Sequence, residues 1–302
     1  MKFDHEHFPQ IGVSQTLCEG LSVVTAPNAS PMTFTGTQTY ILGETELAII
    51  DPGPDVPAHL EALIRAINAR NVSHILVTHS HIDHSPLAKR LSEIVDAPVY
   101  GFGPGHAGRS AIMETLAARG GLGGGEGIDH GFSPDILLRN KDRIKGAGWE
   151  LEAIHTPGHL SNHLCFGWGD NLFSGDHVMG WSTTLVSPPD GDLTQFMVSM
   201  KKLQNRPANC YFPGHGAVLH NPHKMLAHQI SHRLHRESQV LEGLKNGFVD
   251  VASLTRRIYA DVDQNLWPVA QRNVLAHMID LVERNLIRPV GAIGANGQFQ
   301  LV

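Results

Sequence analysis

Over its first half the 302-residue chain alternates short apolar runs with amphipathic stretches. Thr39-Tyr40-Ile41-Leu42 and Leu47-Ala48-Ile49-Ile50 flank a polar Gly43-Glu44-Thr45-Glu46, which predicts a hairpin ended by Asp51-Pro52-Gly53-Pro54. Leu60, Leu63, Ile64 and Ile67 recur at helical spacing and predict a helix over 57–69. His74-Ile75-Leu76-Val77 reads as a buried strand. Ser85-Pro86 follows as N-cap and first helical position of a helix to about Val95, and Pro98-Val99-Tyr100 as a further strand. Strands are expected again near 149–155 and 163–175, a helix over about 193–205 and a strand at Cys210-Tyr211-Phe212. From Pro222 the pattern turns helical, over about 223–245, 252–260 and 268–286, and a hairpin around Ala295-Asn296-Gly297 closes the chain. This divides the chain into an α/β unit, 1–222, and a mainly helical unit, 223–302. Residues 101–133 break the rhythm with a run of glycines that includes Gly120-Gly121-Leu122-Gly123-Gly124-Gly125. Such long irregular stretches are uncommon in compact domains unless mobile or functional. They predict an insertion with one short helix, about 109–118, that could serve as a lid.

Composition narrows the class. Apolar residues make up 41% and charged residues 17%, a globular mixture, and no apolar run approaches the ~18 residues of a spanning helix. The opening Met1-Lys2-Phe3-Asp4-His5 has no apolar core, so no secretory signal is expected. A net charge of −6 argues against bulk binding of nucleic acid or anionic membrane. Three widely spaced cysteines, Cys18, Cys165 and Cys210, form no CxxC pair. They make neither a disulfide framework nor a thiolate zinc site, and they fit a reducing, cytoplasmic location.

The chain carries 20 histidines, and their positions carry the chemistry. Thr78-His79-Ser80-His81-Ile82-Asp83-His84 follows a buried strand and precedes a helix. At a strand exit His79 and His81 project the same way, and Asp83 and His84 begin the turn beside them. Imidazole nitrogens and carboxylate oxygens suit zinc and similar borderline ions. A solvated His-rich loop would not need an apolar strand to aim it. Three more candidates sit in turns after strands: Pro157-Gly158-His159, Gly175-Asp176 and Pro213-Gly214-His215-Gly216.

In this order, His-x-His-x-Asp-His, Pro-Gly-His, Gly-Asp and Pro-Gly-His-Gly resemble the metallo-β-lactamase superfamily over about residues 35–216. The resemblance implies a four-layer αβ/βα sandwich with two metal ions, taken as zinc with manganese and iron left open, at one edge. By that likeness His79, His81 and His159 hold the first ion. Asp83, His84 and His215 hold the second, and Asp176 bridges. Pro31-Met32-Thr33-Phe34-Thr35-Gly36-Thr37-Gln38-Thr39-Tyr40 with Asp51-Pro52-Gly53, Ile230-Ser231-His232-Arg233 with Arg236-Glu237, Thr255-Arg256-Arg257-Ile258-Tyr259 and Arg272-Asn273-Val274-Leu275-Ala276-His277 resemble the β-lactamase-like protein 2 family. That family adds a C-terminal winged-helix-like domain, and its characterised relatives include an endoribonuclease acting on single-stranded RNA.

The resemblance implies a hydrolase that uses a metal-bridging hydroxide on an ester, thioester, lactone or phosphodiester. Asp83 is expected to orient the nucleophile besides acting as ligand, and Asp51, at a strand end, is a candidate partner fixing an imidazole. His163 and His177 could touch substrate but read better as structural histidines. His228, His232 and His235 share a helix face, which reads as packing. Gly103-Pro104-Gly105-His106-Ala107-Gly108 matches GxGxxG, but Pro104 removes a donor from any phosphate cradle. Single-stranded RNA cleavage, a glyoxalase II-like thioesterase and a DNA-binding winged helix remain as alternatives, and a homodimer is open. Only 6% aromatic residues and an acidic first unit weaken the RNA reading. Arg272 and Arg284 on the candidate recognition helix stand beside Asp280 and Glu283, which makes no clear basic stripe.

Overall fold

The computed structural model describes residues 3–125 and 127–302. Met1 and Lys2 of the opening stretch and Glu126 of the predicted insertion lie outside the described residues.

The first sheet runs in chain order: β1 (Gln15–Cys18), β2 (Leu21–Thr25), β3 (Gln38–Leu42), β4 (Glu46–Ile50), β5 (Asn71–Leu76), β6 (Val99–Gly101) and β7 (Ile136–Leu137). β1 to β4 form an antiparallel meander, including the predicted hairpin β3–β4. β4 to β7 are parallel, and the first two of those steps cross over through α1 (Pro57–Ile67) and α2 (Leu87–Val95), since a parallel step needs a long return. The second sheet has the order β12-β11-β10-β9-β8. Its strands are β8 (Arg143–Gly146), β9 (Trp149–His155), β10 (Leu164–Trp168), β11 (Asn171–Gly175) and β12 (Tyr211–Pro213), the last reached through α4 (Leu193–Gln204).

Alternation along the strands builds the layers. On β3 and β4, Tyr40, Leu42, Ala48 and Ile50 face the second sheet's Leu151, Leu164, Phe166 and Phe173 in one cluster. Ile41, Leu47 and Ile49, one residue out of phase, pack with Leu60, Leu63, Leu87 and Leu91 of α1 and α2. Leu172 and Cys165 on the outer face of the second sheet join Phe196 and Met200 of α4 and Met225 and Leu226 of α5 (Pro222–Lys245). The result is the expected four-layer αβ/βα sandwich.

The last third holds α5, α6 (Val251–Ile258), α7 (Trp267–Glu283) and the hairpin β13 (Ile287–Val290) with β14 (Gln298–Leu301). Its core contains Val240, Leu254, Val274, Leu275, Met278 and Phe299, and the insertion completes it. Met113 and Leu116 of α3 (Ala111–Arg119), together with Leu122, are buried in the same cluster. Arg233 on α5 is buried, donates to Thr184 O and Asn273 Oδ1, and lies over the Phe196 ring. Helix α5 thus bridges both cores. Among the described residues no helix is long and apolar enough to cross a membrane.

Two local expectations differ. Ser85 does not cap α2: its hydroxyl donates to Asp129 Oδ2 at 2.7 Å, and α2 begins at Leu87. The turn over 81–85 is already closed by Ser85 N donating to His81 O, so the hydroxyl turns toward the insertion instead. β1, β2, β7 and β8 were not expected. β1 is exposed at three of its four positions and β7 has two residues, so neither shows a readable apolar pattern.

Candidate metal centre

All seven candidate ligands leave strand ends at one edge of the sandwich. β5 hands the chain through Val77 and Thr78 into the turn over 79–84, while β9, β11 and β12 deliver His159, Asp176 and His215. Asp51 ends the neighbouring β4 and braces the first of these turns. It accepts from Thr78 N at 2.7 Å, from Thr78 Oγ1 at 2.7 Å and from His84 Nδ1 at 2.9 Å.

These partners fix which ring nitrogens carry hydrogen. A carboxylate only accepts, so His84 Nδ1 is a donor. Thr78 gives its own hydrogen to Asp51, so its oxygen accepts from His79 Nδ1 at 2.9 Å. His159 Nδ1 donates to Leu185 O at 2.8 Å and His215 Nδ1 to Gly36 O at 3.2 Å. Each of these four rings therefore turns Nε2 inward. His81 turns Nδ1 inward instead, 2.9 Å from His79 Nε2 and 3.0 Å from His159 Nε2.

The inward atoms form two groups, His79–His81–His159–Asp176 and Asp83–His84–Asp176–His215, each with donor atoms within 4.8 Å of one another. In the second, Asp83 Oδ2 lies 3.1 Å from His215 Nε2 and 3.3 Å from His84 Nε2. Asp176 belongs to both: Oδ2 is 3.6 Å from His159 Nε2 and 3.4 Å from His215 Nε2, and Oδ1 is 3.4 Å from His84 Nε2. Asp176 Oδ1 is buried with no hydrogen-bond partner. Metal–nitrogen bonds of about 2.1 Å at tetrahedral angles give ligand edges of roughly 3.4 Å, so these spacings fit a cation in each group.

Electrostatics separate the groups. Burial, aided by neighbouring imidazoles, pushes His79 well below its ordinary range and His81 down to about 3, and burial likewise lowers His159. In the second group burial opposes charge but loses. Asp83, Asp176 and Asp51 hold His84 well above its usual value, and Asp176 and Asp83 raise His215 to about 9. Burial likewise works to raise the carboxyls, yet His84 and His215 keep Asp83 and Asp176 well below theirs.

A Metallo-beta-lactamase superfamily profile matches residues 32–215, and a Beta-lactamase associated winged helix domain profile matches 251–295. The chain belongs to the metallo-beta-lactamase superfamily. It is 30% identical to a Beta-lactamase-like protein 2 homolog of Drosophila melanogaster, over 86% of this chain and 87% of the relative. It is 31% identical to an Atrochrysone carboxyl ACP thioesterase of Aspergillus fumigatus, over 72% of this chain and 63% of that one. Its fold is shared with a Beta-lactamase domain protein from Burkholderia ambifaria at a TM-score of 0.79 and 19% identity, over 98% and 96% of the two chains. As a member of this superfamily the protein is a metal-dependent hydrolase with a C-terminal winged-helix domain.

Above the two donor groups opens a cleft of about 610 Å³. His81, Asp83, His159 and Asp176 reach its floor. His163 and His177 do not: both are fully buried behind the cluster, His163 bonded to Thr156 Oγ1 at 2.9 Å and His177 against Phe196. On α5, His228 packs edge-on to Phe3, whereas His235 is exposed and so does not share the packing expected of that helix face. The GxGxxG stretch walls the centre from behind, where Gly103 O and Gly105 O accept from Asn162 and Ser161.

Other residues at the cleft were not singled out from sequence as site residues. Asp190 accepts from Arg109 Nη2 at 2.5 Å and from Gly125 N at 2.8 Å, fixing the insertion beside the cleft. Arg272 donates to Ser187 Oγ at 2.8 Å and to Leu122 O and Pro188 O, clamping α7 to both.

Two substitutions test this build. Asp51→Ala strands the Thr78 and His84 donors and is expected to cost about 10–100-fold in metal affinity, measured by competition with a chromogenic chelator. Gly214→Ala places a Cβ that overlaps Asp176 Oδ1 and stands 2.7 Å from His84 Cε1. Displacing those groups by about 1 Å should lower kcat/KM roughly 100-fold. The thermal transition should move only a few degrees, since the strain falls on side chains at the sandwich edge.

Proposed function

We propose that the protein is a dinuclear zinc hydrolase that cleaves a thioester or ester of a small acyl substrate. In this reading the hydrolase unit spans 1–222 and the winged-helix-like unit 223–302. The observation that carries it is Asp176, one buried carboxylate shared by two four-residue donor groups at the floor of a small-molecule-sized cleft. The volume falls within the ~300–1,000 Å³ usual for small-ligand sites.

His79, His81 and His159 would hold one ion, Asp83, His84 and His215 the other, and Asp176 both. When bound, the two ions supply Lewis acidity, which makes water a nucleophile near neutral pH and neutralises charge developing on the carbonyl oxygen. The chain's own part is orientation. Asp83 lines the cleft floor, and its carboxylate can accept a hydrogen from the attacking water, aiming the water's lone pair at the acyl carbon. Asp51, Thr78, Leu185 O and Gly36 O hold the imidazoles in the tautomers that face inward.

The acyl-carrier thioesterase name borne by a relative 31% identical supports a thioester over a phosphodiester. So does the rim beyond the donor groups: Asp190 lines the cleft there, and the Arg272 guanidinium donates to Ser187 Oγ, Leu122 O and Pro188 O. A polyanion would find little to neutralise it there.

The test is a hydrolysis panel on purified protein of measured metal content. It should include N-acetylcysteamine thioesters, a p-nitrophenyl ester, an acyl-homoserine lactone, a chromogenic cephalosporin and single-stranded RNA. Turnover of the thioester or ester that a chelator abolishes is expected. Turnover confined to the RNA would overturn the reading.

A further inference from the structure

Five separate parts of the chain give the cleft walls their apolar side chains. Met32 belongs to the loop before β3, Ile82 to the ligand turn, Ile128 to the insertion and Leu185 to the loop before α4. Pro268 and Val269 belong to the first turn of α7, inside the winged-helix match. In DNA-binding winged helices the N-terminal turn of this helix meets base edges. Here that turn faces the hydrolase cleft, with Val269 half-buried and Arg272, one turn further on, bonded to the insertion and to the 187–188 loop.

We propose that the first turn of α7, through Val269, forms the specificity wall for an extended apolar acyl chain. In that role the winged-helix domain sets chain-length preference in the hydrolase rather than reading nucleic acid. This rests on the acyl-hydrolase reading above.

Three observations carry the inference. The wall is built: Asp190 holds Gly125 N and Arg109, Arg272 holds Leu122 O and Pro188 O, and Thr194 Oγ1 donates to Asp280 Oδ1 of α7 at 2.7 Å. A wall fixed at those points keeps its shape and can discriminate by length. Large apolar side chains stay in the open: Met32 is 49% exposed and Ile82 54% exposed, although Ile82 stands between two of the clustered donors. A hydrolase of small polar substrates would gain nothing from them. Finally, the same end of α7 cannot face the cleft floor and a DNA groove together.

The experiment uses the full-length, metal-loaded protein with N-acetylcysteamine thioesters of two to ten acyl carbons. Wild type should gain about fourfold in kcat/KM per buried methylene until the cleft is filled. Val269→Trp fills the wall. It should lower kcat/KM for the decanoyl substrate at least tenfold more than for the acetyl one, and Val269→Ala should move the optimum to longer chains.

A second readout needs no turnover: calorimetric binding of the thioethers S-methyl- and S-decyl-N-acetylcysteamine. The decyl compound should bind more tightly, with a negative heat-capacity change that Val269→Trp diminishes. A flat length profile in wild type, or a loss in Val269→Trp that is equal at all lengths, overturns the proposal. Failure of the reaction reading looks different: no thioester or ester is cleaved, yet the decyl thioether still binds with the Val269 dependence, and the wall assignment stands.

Discussion

Asp176→Ala is expected to lower kcat/KM by at least about 1,000-fold and to leave less than one tightly held metal ion per chain. Asp176 is the only residue common to both donor groups among the described residues, and its two oxygens lie within 3.4–3.6 Å of three inward imidazole nitrogens. Removing it strips each group of a ligand. It also removes a negative charge that helps keep His84 and His215 protonated in the metal-free protein. A thousandfold is about 4 kcal/mol of lost transition-state stabilisation, within reach of losing Lewis-acid chemistry alone. Atomic absorption alongside kinetics checks both parts. His81→Ala gives the contrast: it removes a donor of the first group only, so about one ion should remain. Equal metal loss in both variants would contradict two groups joined through one carboxylate.

Chelation is the second large effect. Dialysis against a strong chelator should abolish turnover, and readdition of zinc should restore it. Recovery should depend on pH in a direction fixed by the second donor group. His215, raised to about 9, carries a proton at neutral pH in the metal-free chain, and His84 lies well above its usual value too. Both must lose that proton to offer Nε2. Uptake at pH 7 therefore releases protons, and affinity at the second position should rise with pH, by up to about tenfold per unit and per proton, until His215 has titrated near 9. The first position should vary far less over the same range, because His81 is already neutral above about 3 and burial keeps His79 and His159 low. Calorimetry in two buffers of different ionisation enthalpy reads the proton release directly. Uptake without proton release at pH 7 would contradict the assignment.

The floor of the cleft was legible in the sequence because its signals are local. His79, His81, Asp83 and His84 fall in one six-residue stretch just after an apolar strand, and His159, Asp176 and His215 each follow a strand within a few positions. Asp51 was legible for a similar reason, as the terminus of the strand paired with β5. The walls were not. Val269 and Ile128 stand about 140 positions apart and meet only through the folding of the last third, and neither carries a composition that marks a binding surface. Asp190 carries no local signal of its own, and its place at the cleft comes from Arg109 and Gly125 N, 81 and 65 positions away. The Ser85 cap failed because the turn over 81–85, closed on His81 O, decides where the hydroxyl points, and local propensity does not encode that.

The burial of Met113, Leu116 and Leu122 in the core of the last third has a consequence for biosynthesis. These side chains leave the ribosome long before Val274, Leu275 and Met278, their companions in that core. At ordinary elongation rates the wait is roughly 10–30 s. During that interval α3 presents an uncovered apolar face, so nascent chains stalled or cut between the two segments should be the ones that chaperones retain and that aggregate when chaperones are scarce.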